Sequence, residues 1–251
     1  MDLRDKKAFV TGGSGGIGGS IARSLAEAGA DVAISYVGNL EGANATADAL
    51  RAMGRRSLTV QMDQRDAASI SAAVGAVIGE FGGLDILVNN AAWNIGIPFP
   101  QLETLTGEIW DQVLETNLRG PYLLSRAFAS HLRRGGSGRI VNIASAGGVY
   151  PGSSSIAYSC SKAALIHLTR CLAVALAPEV SVNCVAPGLV EGTRMANRLP
   201  QVVANAVRDQ VVLRRLPSAE DIAQQVVEFC RSDSVSGQVI VIDGGMPGCM
   251  R

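Results

Sequence analysis

The chain has 251 residues, with 22 basic and 22 acidic side chains and a formal net charge of zero. No general field draws nucleic acid or an anionic membrane surface to such a chain, and its length suits one large domain with a substantial core. Its apolar runs are too short to cross a bilayer and Met1-Asp2-Leu3-Arg4-Asp5 is no signal peptide, so a soluble cytoplasmic protein is expected.

In chain order, strands are expected near 7 to 11, 31 to 36, 56 to 61, 84 to 89, 138 to 145, 180 to 185 and 238 to 242. Helical periodicity falls near 17 to 28, 41 to 53, 66 to 80, 107 to 133, 156 to 177 and 218 to 231. The alternation predicts an α/β fold, a doubly wound parallel sheet of about seven strands with helices on both faces. No linker-like stretch divides residues 1 to 251, which are read as a single domain. Ligands of such sheets lie beyond the carboxyl ends of the strands, and the informative residues do follow strands.

The first strand, with Ala8-Phe9-Val10, runs into Thr11-Gly12-Gly13-Ser14-Gly15-Gly16-Ile17-Gly18. Glycines there allow a tight turn and close approach of a ligand, and the free N–H groups of the next helix attract a pyrophosphate. The spacing Gly12-x3-Gly16-x-Gly18 lacks the Lys-Ser/Thr of a P-loop, which argues against a kinase or GTPase. Further along, Tyr158 and Lys162 stand one helical turn apart on one face, so the ammonium is expected to lower the phenol pKa and make Tyr158 a general acid/base. Cys160 lies between them and faces away. The five cysteines, Cys160, Cys171, Cys184, Cys230 and Cys249, have no Cys-x-x-Cys spacing and read as reduced thiols.

Taken together, Thr-Gly-x3-Gly-x-Gly at 11 to 18, Asn-Asn-Ala at 89 to 91, Asn117, Ser145, Tyr158-x3-Lys162, Pro187-Gly188 and Asp243-Gly244-Gly245 resemble a short-chain dehydrogenase/reductase over nearly the whole chain. The resemblance implies a Rossmann-type fold, a nicotinamide cofactor and hydride transfer between it and a carbonyl or secondary alcohol, with no metal in the chemistry. It makes Tyr158 the proton donor or base, Ser145 a hydrogen-bond partner of the substrate oxygen, and Lys162 both the tuner of Tyr158 and a ribose ligand. Asn117 would hold a water linking Lys162 to solvent. The cofactor would touch Gly12, Ser14, Gly16, Ile17, Gly18, Tyr36, Asn39, Asp63, Asn89, Ala91, Tyr158, Lys162, Pro187, Gly188 and Thr193, with Asp63 on the adenine amino group.

At the end of the second strand Tyr36 stands where an NAD site usually has an acid. Without a carboxylate to repel a 2′-phosphate, NADP is expected over NAD, held by Ser14, Ser35, Tyr36 or Asn39. Residues 188 to 215 resemble a substrate lid, and Trp93, Ser145, Val149, Tyr150, Leu189 and Met195 are expected to line the pocket, with Ile95 nearby. The substrate is expected to be a ketone or a 3-oxoacyl thioester, since the chain is most like 3-oxoacyl-acyl carrier protein reductases. Leu172-Ala173-Val174-Ala175 lacks the basic residue common there, leaving Arg126, Arg133 and Arg134 to meet an acyl carrier protein. A homotetramer is expected, formed through the helices near 107 to 133 and 156 to 177 and through the last strand. The alternatives are a noncatalytic NAD(P)-binding regulator and an NAD-dependent alcohol or sugar dehydrogenase.

Overall fold

The computed structural model describes residues 1–249; Met250 and Arg251 lie outside the described residues. Seven parallel strands form one sheet: β1 Lys7–Val10, β2 Asp31–Tyr36, β3 Ser57–Gln61, β4 Ile86–Asn89, β5 Gly138–Ile143, β6 Val180–Pro187 and β7 Val239–Ile242. Their order is β3-β2-β1-β4-β5-β6-β7. The order reverses between β1 and β4, which pair through Phe9 and Leu87. That reversal opens a crevice at the carboxyl ends of these two strands.

The two-residue period of a strand sends Ala8 and Val10 to one face of β1 and Phe9 to the other. The first face is covered by helices α1 (Gly16–Glu27), α2 (Leu40–Ala52) and α9 (Ala219–Arg231), whose Ile21, Leu25, Leu50, Ile222 and Val226 share a core with Val32 and Ile34. The second is covered by α3 (Ala67–Phe81), α5 (Gly120–Arg134) and α6 (Ile156–Ala175). There the Phe9 and Phe128 rings meet at 5.6 Å between centroids. No helix among the described residues is long and apolar enough to cross a membrane.

Side chains close the open N–H groups of most helices. Asn39 caps α2, Asp66 caps α3, Ser155 caps α6, and Ser218 with Asp221 forms a capping box on α9. Helix α1 is different: Gly15 is its N-cap residue and no side chain caps it. Its first-turn N–H groups therefore remain available at the mouth of the crevice.

The single long helix expected near 107 to 133 is in fact α4 (Gly107–Leu114), a π-helical turn (Glu115–Arg119) and α5. The extra residue in that turn places the Asn117 side chain in the interior, which helical periodicity alone does not reveal. Strand β5 stops at Ile143, because Ser145 already caps a 3-10 turn at Ala146–Gly148. Two unexpected helices, α7 (Arg194–Asn197) and α8 (Gln201–Gln210), occupy the segment after β6, and neither has a buried residue.

Phe128 is fully buried and fills the space between β1 and α5. Phe128→Ala should lower unfolding free energy by about 3–5 kcal/mol, read from urea denaturation, because it removes a fully buried ring and leaves a cavity beside Phe9.

Candidate active site

The glycine turn is braced from behind. Thr11 Oγ1 accepts hydrogen bonds from the Asn90 N–H at 3.0 Å and the Ala91 N–H at 2.9 Å, and Asn90 Nδ2 donates to the Thr11 carbonyl at 2.8 Å. A Cβ on Gly13 would lie 2.6 Å from Ile34 Cβ, and one on Gly18 would overlap the Gly12 carbonyl oxygen. On the outer side the space is open: a Cβ on Gly15 or Gly16 would meet nothing within 4 Å. A packed rear, an open front and an uncapped helix N-terminus fit the pyrophosphate of a dinucleotide. The Ile17 side chain packs into the core below, so only its backbone belongs to this cradle.

Several expected cofactor contacts are committed elsewhere. Asn89 faces the opposite side, where its Nδ2 donates to Asn142 Oδ1 at 2.8 Å within the buried interior; Asn90 is the residue at the glycine turn. Strand alternation explains the exchange, since adjacent residues point to opposite faces. The Asp63 carboxylate is held by Arg65, 2.7 Å from Oδ2, and this guanidinium keeps its carboxyl below the ordinary range. Ser35 is buried and its Oγ accepts from the Gly12 N–H at 3.2 Å. Asn39 accepts from the Gly42 N–H at 3.1 Å and donates to the Ser14 carbonyl at 3.2 Å. Both buttress the turn, leaving the side chains of Ser14 in the turn and of Tyr36 at the end of β2. Gln64 also escaped the sequence reading: its Nε2 donates to the Ala91 carbonyl at 3.0 Å and the Thr116 carbonyl at 2.6 Å.

Ser145, Tyr158 and Lys162 come together across the ends of β5 and α6. Gly148 permits this, because a Cβ there would lie 2.6 Å from the Lys162 carbonyl carbon. Ser145 Oγ accepts from the Gly147 N–H at 3.1 Å. Tyr158 is 6% exposed and Lys162 2%. The ammonium donates to the Ile143 carbonyl at 2.8 Å and lies 5.7 Å from the centre of the Tyr158 ring. Cys160, on the same helix, is exposed.

The electrostatics differ from the expectation for Tyr158. Burial pushes its phenol up to about 12, opposed by the Ser145 hydroxyl. Burial also brings Lys162 down to about 8, countered by the nearby Cys184 thiol. Desolvation acts against charge on both groups and outweighs the attraction inferred from their spacing.

Asn117 is fully buried but its side chain is already engaged. Oδ1 accepts from the Trp93 N–H at 2.8 Å, and Nδ2 donates to the Trp93 carbonyl at 3.0 Å and Ser161 Oγ at 3.1 Å. The amide therefore fastens the loop after β4 to α6. Trp93 packs with Val113, Ala157 and Tyr158. Half-buried Val149 packs against the cluster of Ala144, Leu165 and Cys184, and the exposed Tyr150 ring lies against Gly248. Pro187 ends β6, and Gly188 packs so closely on Asp243 that a Cβ would lie 2.6 Å from Asp243 Cβ. Leu189 is half-buried, Thr193 caps α7 through the Ala196 N–H at 3.3 Å, and Met195 is exposed.

Residues 6–203 match the short chain dehydrogenase family. The chain is 37% identical over 239 residues to a granaticin polyketide synthase ketoacyl reductase of Streptomyces violaceoruber, covering 95% of this chain and 94% of the relative. It is 37% identical to the 3-oxoacyl-[acyl-carrier-protein] reductase of Staphylococcus aureus, covering 96% and 98%. Among solved structures, a short chain dehydrogenase from Burkholderia cenocepacia in complex with NADP superposes with a TM-score of 0.87 at 36% identity, covering 98% of this chain and 100% of that one.

The buried lysine gives a pH signature. Its folded pKa lies below the 10.5 of the free side chain, so the penalty is full below about pH 8 and disappears as pH rises toward 10.5. Lys162→Met should therefore be more stable than wild type at pH 7, by an amount on the order of 1–3 kcal/mol, with the difference shrinking by pH 10 in urea titrations.

Proposed function

The chain belongs to the short-chain dehydrogenase family and is an NAD(P)-dependent oxidoreductase, and on that footing we propose that it reduces the carbonyl of a ketone or a 3-oxoacyl thioester with Tyr158 as proton donor. The observation that carries this reading is the buried trio of Ser145, Tyr158 and Lys162 beside a cradle shaped for a dinucleotide. When bound, the nicotinamide supplies the hydride in reduction and accepts it in alcohol oxidation.

The remaining work falls to the chain's own side chains. A phenol raised to about 12 is fully protonated at neutral pH, as a donor must be. Negative charge building on a substrate oxygen near Ser145 and Tyr158 is met by two largely buried hydroxyl donors. As that charge grows, the Tyr158 proton moves to the substrate oxygen. Lys162, brought down to about 8, then stands as a nearby cation to stabilise the phenolate that remains. In the oxidation direction Tyr158 acts as base.

The turn from Gly12 to Gly18 and the first N–H groups of α1 would hold the pyrophosphate, Tyr158 and Lys162 the nicotinamide ribose, and Ser14 and Tyr36 the adenosine ribose. The lack of an acid at the end of β2 supports NADP over NAD. Residues 188 to 215, with exposed Met195, Leu199 and Val203, would form the lid over the substrate. The names of the ketoacyl reductase relatives support a 3-oxoacyl substrate. Exposed Arg126 and Arg134 on α5 are the cations left for an acidic carrier, since Arg133 donates to the Ala175 carbonyl at 2.8 Å. A tetramer built on α4, α5 and α6 and on the edge strand β7 is the assembly this reading includes.

Two experiments test the reading. Tyr158→Phe keeps the ring and removes the proton, so kcat for reduction of a 3-oxo ester should fall by about 10²–10⁴-fold while NADPH binding, followed by cofactor fluorescence, stays within a few-fold. Tyr36→Asp should repel the 2′-phosphate and lower the ratio of kcat/KM for NADPH over NADH by about tenfold, equivalent to ~1.4 kcal/mol.

A further inference from the structure

Among the described residues only Asp5, Ser154 and Arg214 have positive φ without being glycine. Ser154, with φ of 62°, is the one at the site: it precedes Ser155, whose Oγ accepts from the Tyr158 N–H at 3.2 Å. A side chain in the left-handed region costs energy that glycine avoids, and such a conformation persists where the surrounding contacts over-determine it. Here those contacts are specific. The Ser154 hydroxyl is shared between Asn94 Oδ1 and the Ile95 carbonyl, the latter at 3.2 Å, and the Ser154 carbonyl accepts from the Ile97 N–H at 3.2 Å. Ile97 is buried.

These bonds clasp residues 94 to 97 onto the strand of chain leading into α6. Asn94 directly follows Trp93, whose backbone is gripped on its other side by Asn117 and whose half-buried side chain packs against the cluster of Val113, Ala157 and Tyr158. One wall of the site is thus tied down at both flanks. The segment on the other side, α7 and α8, has no buried residue to anchor it.

We propose that Ser154 and Asn94 are specificity-determining positioning residues: their clasp makes Trp93 a fixed wall over Tyr158, which rejects bulk on that side of the substrate carbonyl. The strained backbone at Ser154 is retained because a glycine, though easier to place, has no hydroxyl to close the clasp. This proposal rests on the reductase reading above.

The test compares Ser154→Gly, Asn94→Ala and Ser154→Asn. The last keeps a donor on a residue that tolerates left-handed backbone. Two quantities are read: the ratio of kcat/KM for ethyl benzoylacetate over ethyl acetoacetate with NADPH, and acrylamide quenching of Trp93 in a Trp110→Phe background. Ser154→Gly and Asn94→Ala should raise the ratio at least fivefold, mainly through KM for the bulkier ester, and at least double the quenching constant. Ser154→Asn should stay near the parent in both, and the urea midpoint of Ser154→Gly should be no lower than the parent's, since its backbone strain is relieved. A smaller change in the ratio, or unchanged quenching, overturns the proposal. So does a shift in the ratio that Ser154→Asn shares and that follows a lowered urea midpoint, which marks a merely structural role. If the parent reduces neither ester, the reductase reading fails, and unaltered quenching in Ser154→Gly would sink the clasp independently.

Discussion

The hydrogen bond from the Lys162 ammonium to the Ile143 carbonyl, 2.8 Å long and buried, is the contact on which the site depends. A cation at 2% exposure has lost its water and needs a polar partner in return. The last carbonyl of β5 provides one because it faces β4, whose ladder with β5 has already ended at Asn89 and Asn142. The bond ties α6 to the sheet at the level of Tyr158. Whatever registers β5 against its neighbours therefore also registers the phenol.

Around this tie the molecule spends small residues where close approach is required. Gly148 lets the turn after β5 lie on the α6 backbone at Lys162, and Gly18 lets α1 start directly against the Gly12 carbonyl. Behind both lies a buried polar chain in which Asn89 donates to Asn142 at 2.8 Å and Asn142 to Thr169 at 2.9 Å. It links β4, β5 and α6 beneath the crevice. Such a chain needs all its partners in place, so it favours one arrangement of these elements over near alternatives. Rigidity of this kind suits proton transfer between groups that must meet at hydrogen-bond distance.

The opposing effects on Tyr158 show where spacing ceases to be informative. Four residues on a helix put Lys162 and Tyr158 on one face, as they are. The sign of the phenol's shift depends instead on how much water the fold removes, and here desolvation prevails over the cation. A donor held protonated well above neutral pH and a lysine brought down to about 8 make a pair whose charges respond to what occupies the crevice, since a new anion or cation nearby shifts both.

Local chemistry is written plainly along this chain. Short apolar runs, helical periodicity between them and the glycine turn lead to seven strands in the expected order along the chain, and Ser145, Tyr158 and Lys162 are legible as a set because each follows a strand or shares a helical face. Partners distant in sequence are not legible. That Asn89 turns inward while Asn90 meets the glycine turn, that Arg65 occupies Asp63, and that Asn117 holds Trp93 are all settled by which face packs against which neighbour. A one-residue shift in a strand, or one extra residue in the π turn at 115 to 119, exchanges inside for outside without altering composition or average periodicity. Burial is likewise a property of the assembled layers, so the pKa directions of Tyr158 and Lys162 emerge only once the sheet and α6 enclose them.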